Sequence, residues 1–202
     1  MFGLNKEEIK LLSKIDTPRK IQNFINSIPM NFEDETLFSP RNVLKNNRAQ
    51  CIEGAILAAL ILRIHGFDPL LIDLTANKND DDHVIAVFKQ HNHWGAISKT
   101  NHVTLRYREP VYRTVRELVM SYFHEYFTNH DGKKNLRSYS NPVDLKRFDK
   151  FNWTTSREDI WYIAEHLVKV HHFKILNKKQ ASTLRKADNI EIESGKIIEW
   201  KN

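Results

Sequence analysis

The chain of 202 residues holds one cysteine, six glycines and six prolines. One cysteine excludes an internal disulfide and fits a reducing compartment. So few glycines and prolines exclude a fibrous or low-complexity chain. The longest apolar run, residues 52–64, contains Glu53 and Arg63. It falls short of the roughly 20 residues that span a bilayer. The start, Met-Phe-Gly-Leu-Asn-Lys-Glu-Glu, lacks the basic and then apolar regions of a signal peptide. The expected location is the cytoplasm, with no membrane partner. Net charge is +6, but no block of five like charges occurs. A dispersed basic excess argues against a nucleic-acid partner.

What is present is globular: 41% hydrophobic and 28% charged residues. The length predicts a single domain over 1–202, with N-terminal helices (5–28), a core (about 45–127) and C-terminal helices and a hairpin (130–202). Helical spacing over 5–15 is followed by Thr17-Pro18, an N-cap and first helical residue, opening a helix that Pro29 ends. Ser39-Pro40 opens a short helix toward Cys51. Residues 52–64 show no strand-like alternation and predict a helix buried on most sides. His65-Gly66 stops it. Strands are predicted at 69–74, 84–88, 94–97 and 103–107, with Gln90-His91-Asn92-His93 as a turn. Thr114 and Glu117 form a capping box for a helix continuing through Tyr126, and Ser156 caps another through Val168. Residues 133–155 read as irregular. The polar stretch 177–188 reads as helix, and Ser194-Gly195 as the turn of a hairpin reaching Trp200. Helices and strands segregated in this order predict an α+β fold, with a central buried helix packed on an antiparallel sheet.

Cys51 falls in the first turn of the buried helix, where free N–H groups and the helix dipole favour a negative charge. A thiol there is expected to lose its proton more easily, and the thiolate is the nucleophile. A thiol enzyme also needs an imidazole to move the proton and a group to orient that imidazole. Among ten histidines, His83 fits best, because it begins a strand directly after a polar loop. The other clusters carry less. Asp80, Asp81 and Asp82 are consecutive and read as a solvated turn, with Asp82 placed to tune His83. His91 and His93 lack a third metal ligand. Arg106, Arg108, Arg113 and Arg116 read as a solvated basic face. No metal or other cofactor is expected.

Cys51 at the head of a buried helix, Asp82-His83 entering a strand and Trp94 on the next strand together resemble the transglutaminase-like superfamily. The resemblance covers residues 45–105. The whole chain is similar to a group of small, mostly bacterial proteins of that superfamily, on the runs Asp80-Asp81-Asp82-His83-Val84 and Trp94-Gly95-Ala96-Ile97-Ser98-Lys99. It implies a papain-like α+β fold and a Cys–His–acid triad acting on a peptide, protein or small amide. The superfamily carries its Asp a few residues beyond the Trp, where this chain has Ser98, and no acid follows until Glu109. Ser98 or Asn101 is then the group expected behind His83, as an Asn serves in papain-like enzymes. By the same analogy Gln22 joins the Cys51 N–H as oxyanion donor, and Trp94 and Asp82 face the substrate. The expected function is thiol-dependent acyl transfer or amide hydrolysis. A non-catalytic binding domain on the same scaffold is the alternative that the missing acid suggests, and a basic nucleic-acid binder is a weaker one that the net charge leaves open.

Overall fold

The computed structural model describes residues 2–32 and 35–198. The chain opens with three short helices, α1 (Lys6–Leu12), α2 (Pro18–Ser27) and α3 (Pro40–Asn46), followed by α4 (Cys51–Ile64). Each of the first three has the start that its sequence requires: Asn5, Thr17 and Ser39 accept a backbone N–H with their side chains, and Pro18 and Pro40 occupy first-turn positions. α4 is apolar on every side, and its residues from Glu53 to Leu62 are all buried.

The sheet follows: β1 (Leu70–Thr75), β2 (His83–Gln90), β3 (His93–Ser98) and β4 (Arg108–Tyr112). After α5 (Val115–Met120) come β5 (Ser138–Ser140), β6 (Val143–Asp144) and a 3-10 helix, Leu145–Phe151. α6 (Trp161–Lys169), β7 (His172–Lys174), α7 (Lys178–Ser182) and α8 (Asn189–Gly195) end the described chain. The strand order is β4-β3-β2-β1-β5-β7, with β6 also on β1, and all pairings are antiparallel. The fold is α+β, as the segregation of helices and strands predicts.

Both faces of the sheet are covered. On one face Leu71, Val84, Ala86, Phe88 and Ile97 share a core with α4 and its neighbours. On the other, Ile72, Leu74, Ile85, Val87 and Ala96 pack against Leu118, Val119, Tyr122 and Tyr126. Hence residues 83–88 are buried without alternation: a strand covered on both sides has no solvent face to mark with polar residues. His91 and Asn92 both take positive φ, 49° and 61°. That gives the tight turn whose twist matches a two-residue hairpin.

Several expectations fail, each for a tertiary reason. No strand forms over 103–107; strand pairing resumes at Arg108, and Leu105 takes a φ of 58°. The helix after Thr114 stops at Met120 instead of reaching Tyr126. Arg108 donates to both the hydroxyl (2.9 Å) and the carbonyl (3.2 Å) of Ser121, claiming the carbonyl a continued helix would use. Ser156 caps no helix of its own. Its carbonyl accepts from Ser39 at 2.7 Å, and α6 begins after Ile160, whose N–H is held by the Leu37 carbonyl. Residues 133–155 are not irregular, since β5 and β6 extend the sheet beside β1. In place of a C-terminal hairpin, a capping box between Asp188 and Glu191 starts α8; Trp200 lies outside the described residues. No helix is long and apolar enough to cross a membrane among the described residues.

Candidate functional site

Cys51 is the first residue of α4, and it is half-buried. The turn behind it is built by Glu53, which is fully buried. The Glu53 carboxylate accepts from the Gln50 N–H (2.6 Å), the Phe38 N–H (2.6 Å) and the Thr36 hydroxyl (2.8 Å). It therefore ties the loop before α3 to the start of α4. The backbone N–H groups of Val84 and Ile52 point at the Cys51 sulfur and favour the thiolate. Burial outweighs them, and the Asp73 and Glu53 carboxylates add to it, so the thiol is pushed up. The expectation of an easily lost proton is therefore reversed. The helix dipole acts in a place where removing a charge from water costs more than the dipole returns.

His83 opens β2 and is 7% exposed. Burial pulls its ring down to about 4. Its Nε2 lies 2.7 Å from Ser98 Oγ, across the β2–β3 pair. A hydroxyl has one proton to give, and Ser98 gives it to the Leu105 carbonyl at 2.5 Å. Ser98 must then accept from His83, so the ring proton sits on Nε2 and the lone pair on Nδ1. That is the tautomer a base needs if Nδ1 is to take a proton. Of the two groups expected behind His83, Ser98 is the one in place.

The remaining expected residues separate. Gln22 accepts the Ser98 N–H at 2.9 Å and donates to the Ser98 carbonyl at 2.8 Å and to Asn26 at 2.7 Å. Its amide is consumed in holding the end of β3, where no further strand pairing is available. It is thus a support for Ser98, and the oxyanion assignment is corrected. Trp94 sits at the far end of β3, paired with Lys89 and Tyr112, against the α5-side core. Strand rise alone carries it away from Ser98 by about 13 Å, so it does not face the site. Asn101 and Asp82 both line the cavity. Asp82 accepts the Ala76 N–H at 2.7 Å, and burial pushes its carboxyl up.

Cys51 and His83 open into one cavity of about 470 Å³, together with Asp82, Asn101, Leu105 and Tyr126. That volume suits a small ligand or one peptide side chain. Among the described residues no hydrogen bond joins the thiol to the ring. Thiol and imidazole both rest neutral, because burial drives their proton affinities apart. Asp80, Asp81 and Glu125 add carboxylates to the wall. Among the described residues no group of three or more His, Cys, Asp or Glu side chains is arranged to hold a metal ion.

Four features were missed in the sequence, the Glu53 anchor among them. Lys99 is fully buried, with its ammonium on the Ile28 carbonyl at 2.5 Å and its stem against Gly54. Asp73 is buried on β1 beside His172, 3.0 Å away. His172 also directs Nδ1 at the Val170 carbonyl, 2.8 Å away. Glu125 reaches the Leu105 N–H at 3.0 Å. Only the Glu53 anchor had a readable signal, a glutamate three residues after the N-cap.

Fold and site together define an α+β protein with a thiol and an imidazole in one cleft. No protein-family model matches the chain. No curated protein matches it significantly.

Proposed function

We propose that the protein is a thiol enzyme of the papain- and transglutaminase-like kind, a hydrolase or acyltransferase acting on a peptide, protein or small amide. The observation that carries this reading is the hydrogen-bond chain from His83 Nε2 through Ser98 Oγ to the Leu105 carbonyl, which leaves Nδ1 as the ring's acceptor, with His83 and Cys51 lining one cavity. The lone cysteine agrees with a reducing compartment such as the cytoplasm.

The chemistry follows from the resting state. With thiol and ring both neutral, His83 Nδ1 takes the Cys51 proton as the sulfur attacks a carbonyl carbon. The oxyanion falls to the Cys51 N–H, one of the unpaired donors of the first turn. As the tetrahedral centre collapses, the C–N bond breaks and His83 returns the proton to the leaving amine. A thioester remains. Water or a second amine attacks it, again through His83, and restores the thiol. Ser98 accepts from the imidazolium but brings no negative charge, so it orients the ring and stabilises it less than a carboxylate does.

The test is acyl transfer from an activated ester to Cys51, read by mass spectrometry as a hydroxylamine-sensitive adduct. His83→Ala is expected to slow acylation by about 10²–10⁴-fold. Equal acylation in both proteins, or none at Cys51, overturns the enzyme reading. One observation favours the second reading, a binding domain on the same scaffold: the thiol and ring are not hydrogen-bonded. That reading predicts peptide binding that survives Cys51→Ser without turnover.

A further inference from the structure

Ser98 stands where a carboxylate would orient the ring, so whatever fixes its hydroxyl decides which nitrogen of His83 is the base. That hydroxyl is aimed by the Leu105 carbonyl. Leu105 holds a left-handed backbone, φ 58°, a region that costs a leucine and persists only where surroundings enforce it. One enforcing contact comes from Glu125, whose Oε2 accepts the Leu105 N–H at 3.0 Å. The same oxygen takes Arg108 at 2.7 Å. Arg108 is itself fixed on Ser121 and lies over the Tyr122 ring, 4.2 Å from its centroid.

We infer that Glu125 is a positioning residue for the His83 base, acting through Leu105 and Ser98. It holds Leu105 in the left-handed turn, which keeps the Leu105 carbonyl on the Ser98 proton and the Ser98 lone pair on His83 Nε2–H. Without that acceptor the turn relaxes and the Ser98 hydroxyl rotates. It can then donate to Nε2, which moves the ring proton to Nδ1, where the lone pair is needed. The catalytic meaning of this chain of contacts rests on the proposed function, but the contacts themselves do not. Nothing in the local sequence of Glu125 marks it, because it lies 42 positions from His83 in the numbering.

The experiment reads the ring proton directly, by NMR of the full chain labelled with 15N-histidine. The wild-type protein is expected to carry a slowly exchanging proton on His83 Nε2. Glu125→Ala should speed its exchange with water by about ten-fold or more, the loss of one well-made hydrogen bond. Glu125→Gln should keep the protection, since the amide oxygen still accepts from Leu105 although the ion pair with Arg108 is lost. A wild-type proton on Nδ1, full protection in the alanine variant, or equal loss in the glutamine variant each overturns the inference. Acylation of Cys51 is measured on the same samples. A ring that responds to Glu125 without any acyl-Cys51 defeats the catalytic reading alone. His83-dependent acylation with a ring proton indifferent to Glu125 defeats this inference alone.

Discussion

Gly54→Ala is the sharpest probe of how the site is built. Gly54 is buried in α4, three residues after Cys51. A Cβ there would lie 2.5 Å from Lys99 Cβ and 2.7 Å from Lys99 Cγ. These are not the loose end of a side chain. Cβ is fixed to the backbone of the residue after Ser98, and the far end of Lys99 is held on the Ile28 carbonyl. Helix propensity alone favours alanine by about 1 kcal/mol. Overpacking a dense core costs about 1–3 kcal/mol, and the upper part of that range applies because relief requires α4 and β3 to separate. The net is a loss of about 2 kcal/mol, or about 4–8 °C in Tm for a chain of this size. Thermal and urea unfolding measure it. Adding Lys99→Gly to Gly54→Ala removes both close contacts, so the double variant should be less destabilised than the sum of the singles by about 1 kcal/mol or more. A Gly54→Ala protein as stable as wild type would refute the reasoning, since propensity would then have won over contact.

Three further outcomes follow from the same geometry. Glu53→Gln turns an amide NH2 toward partners that are all donors, and should cost about 1–3 kcal/mol in urea unfolding; an unchanged midpoint would sink it. The unfolded chain protonates His83 below about 6.5, while the folded ring stays neutral down to about 4. Stability should therefore fall as pH drops through that window, by about 3 kcal/mol in all; His83→Gln should flatten this part of the curve, and an identical pH dependence would count against the buried neutral ring. Because burial raises the Cys51 thiol, its alkylation by a small haloacetamide should still be climbing at about pH 9, above the usual thiol midpoint; a plateau near neutrality would show a preformed thiolate instead.

Much of the frame was legible along the chain. The helix of residues 51–64, the strands around 70–75, 83–90 and 93–98 and the hairpin at His91-Asn92 are local matters of apolar runs, caps and turn residues. Cys51 and His83 could be nominated because each sits at the start of such an element. Local pattern failed where a residue's backbone groups are claimed from elsewhere. Arg108 takes the Ser121 carbonyl and ends α5, and Ser156 serves α3 before α6 can begin. Gln22 shows the same limit within the site: its amide was expected to serve a substrate, and it is spent on Ser98.

The sequence by itself determined that a thiol would head a buried helix and that an imidazole would enter the neighbouring strand, because capping and periodicity act within a few residues. Only the tertiary structure decided the state of those groups. Proton affinity depends on which charges and how much water surround a group, and burial here raises the thiol and lowers the ring against the pull of the helix terminus. The direction of the His83 proton depends on Ser98, Leu105 and Glu125, which meet only when β3, the loop after it and the segment beyond α5 close around the same cavity.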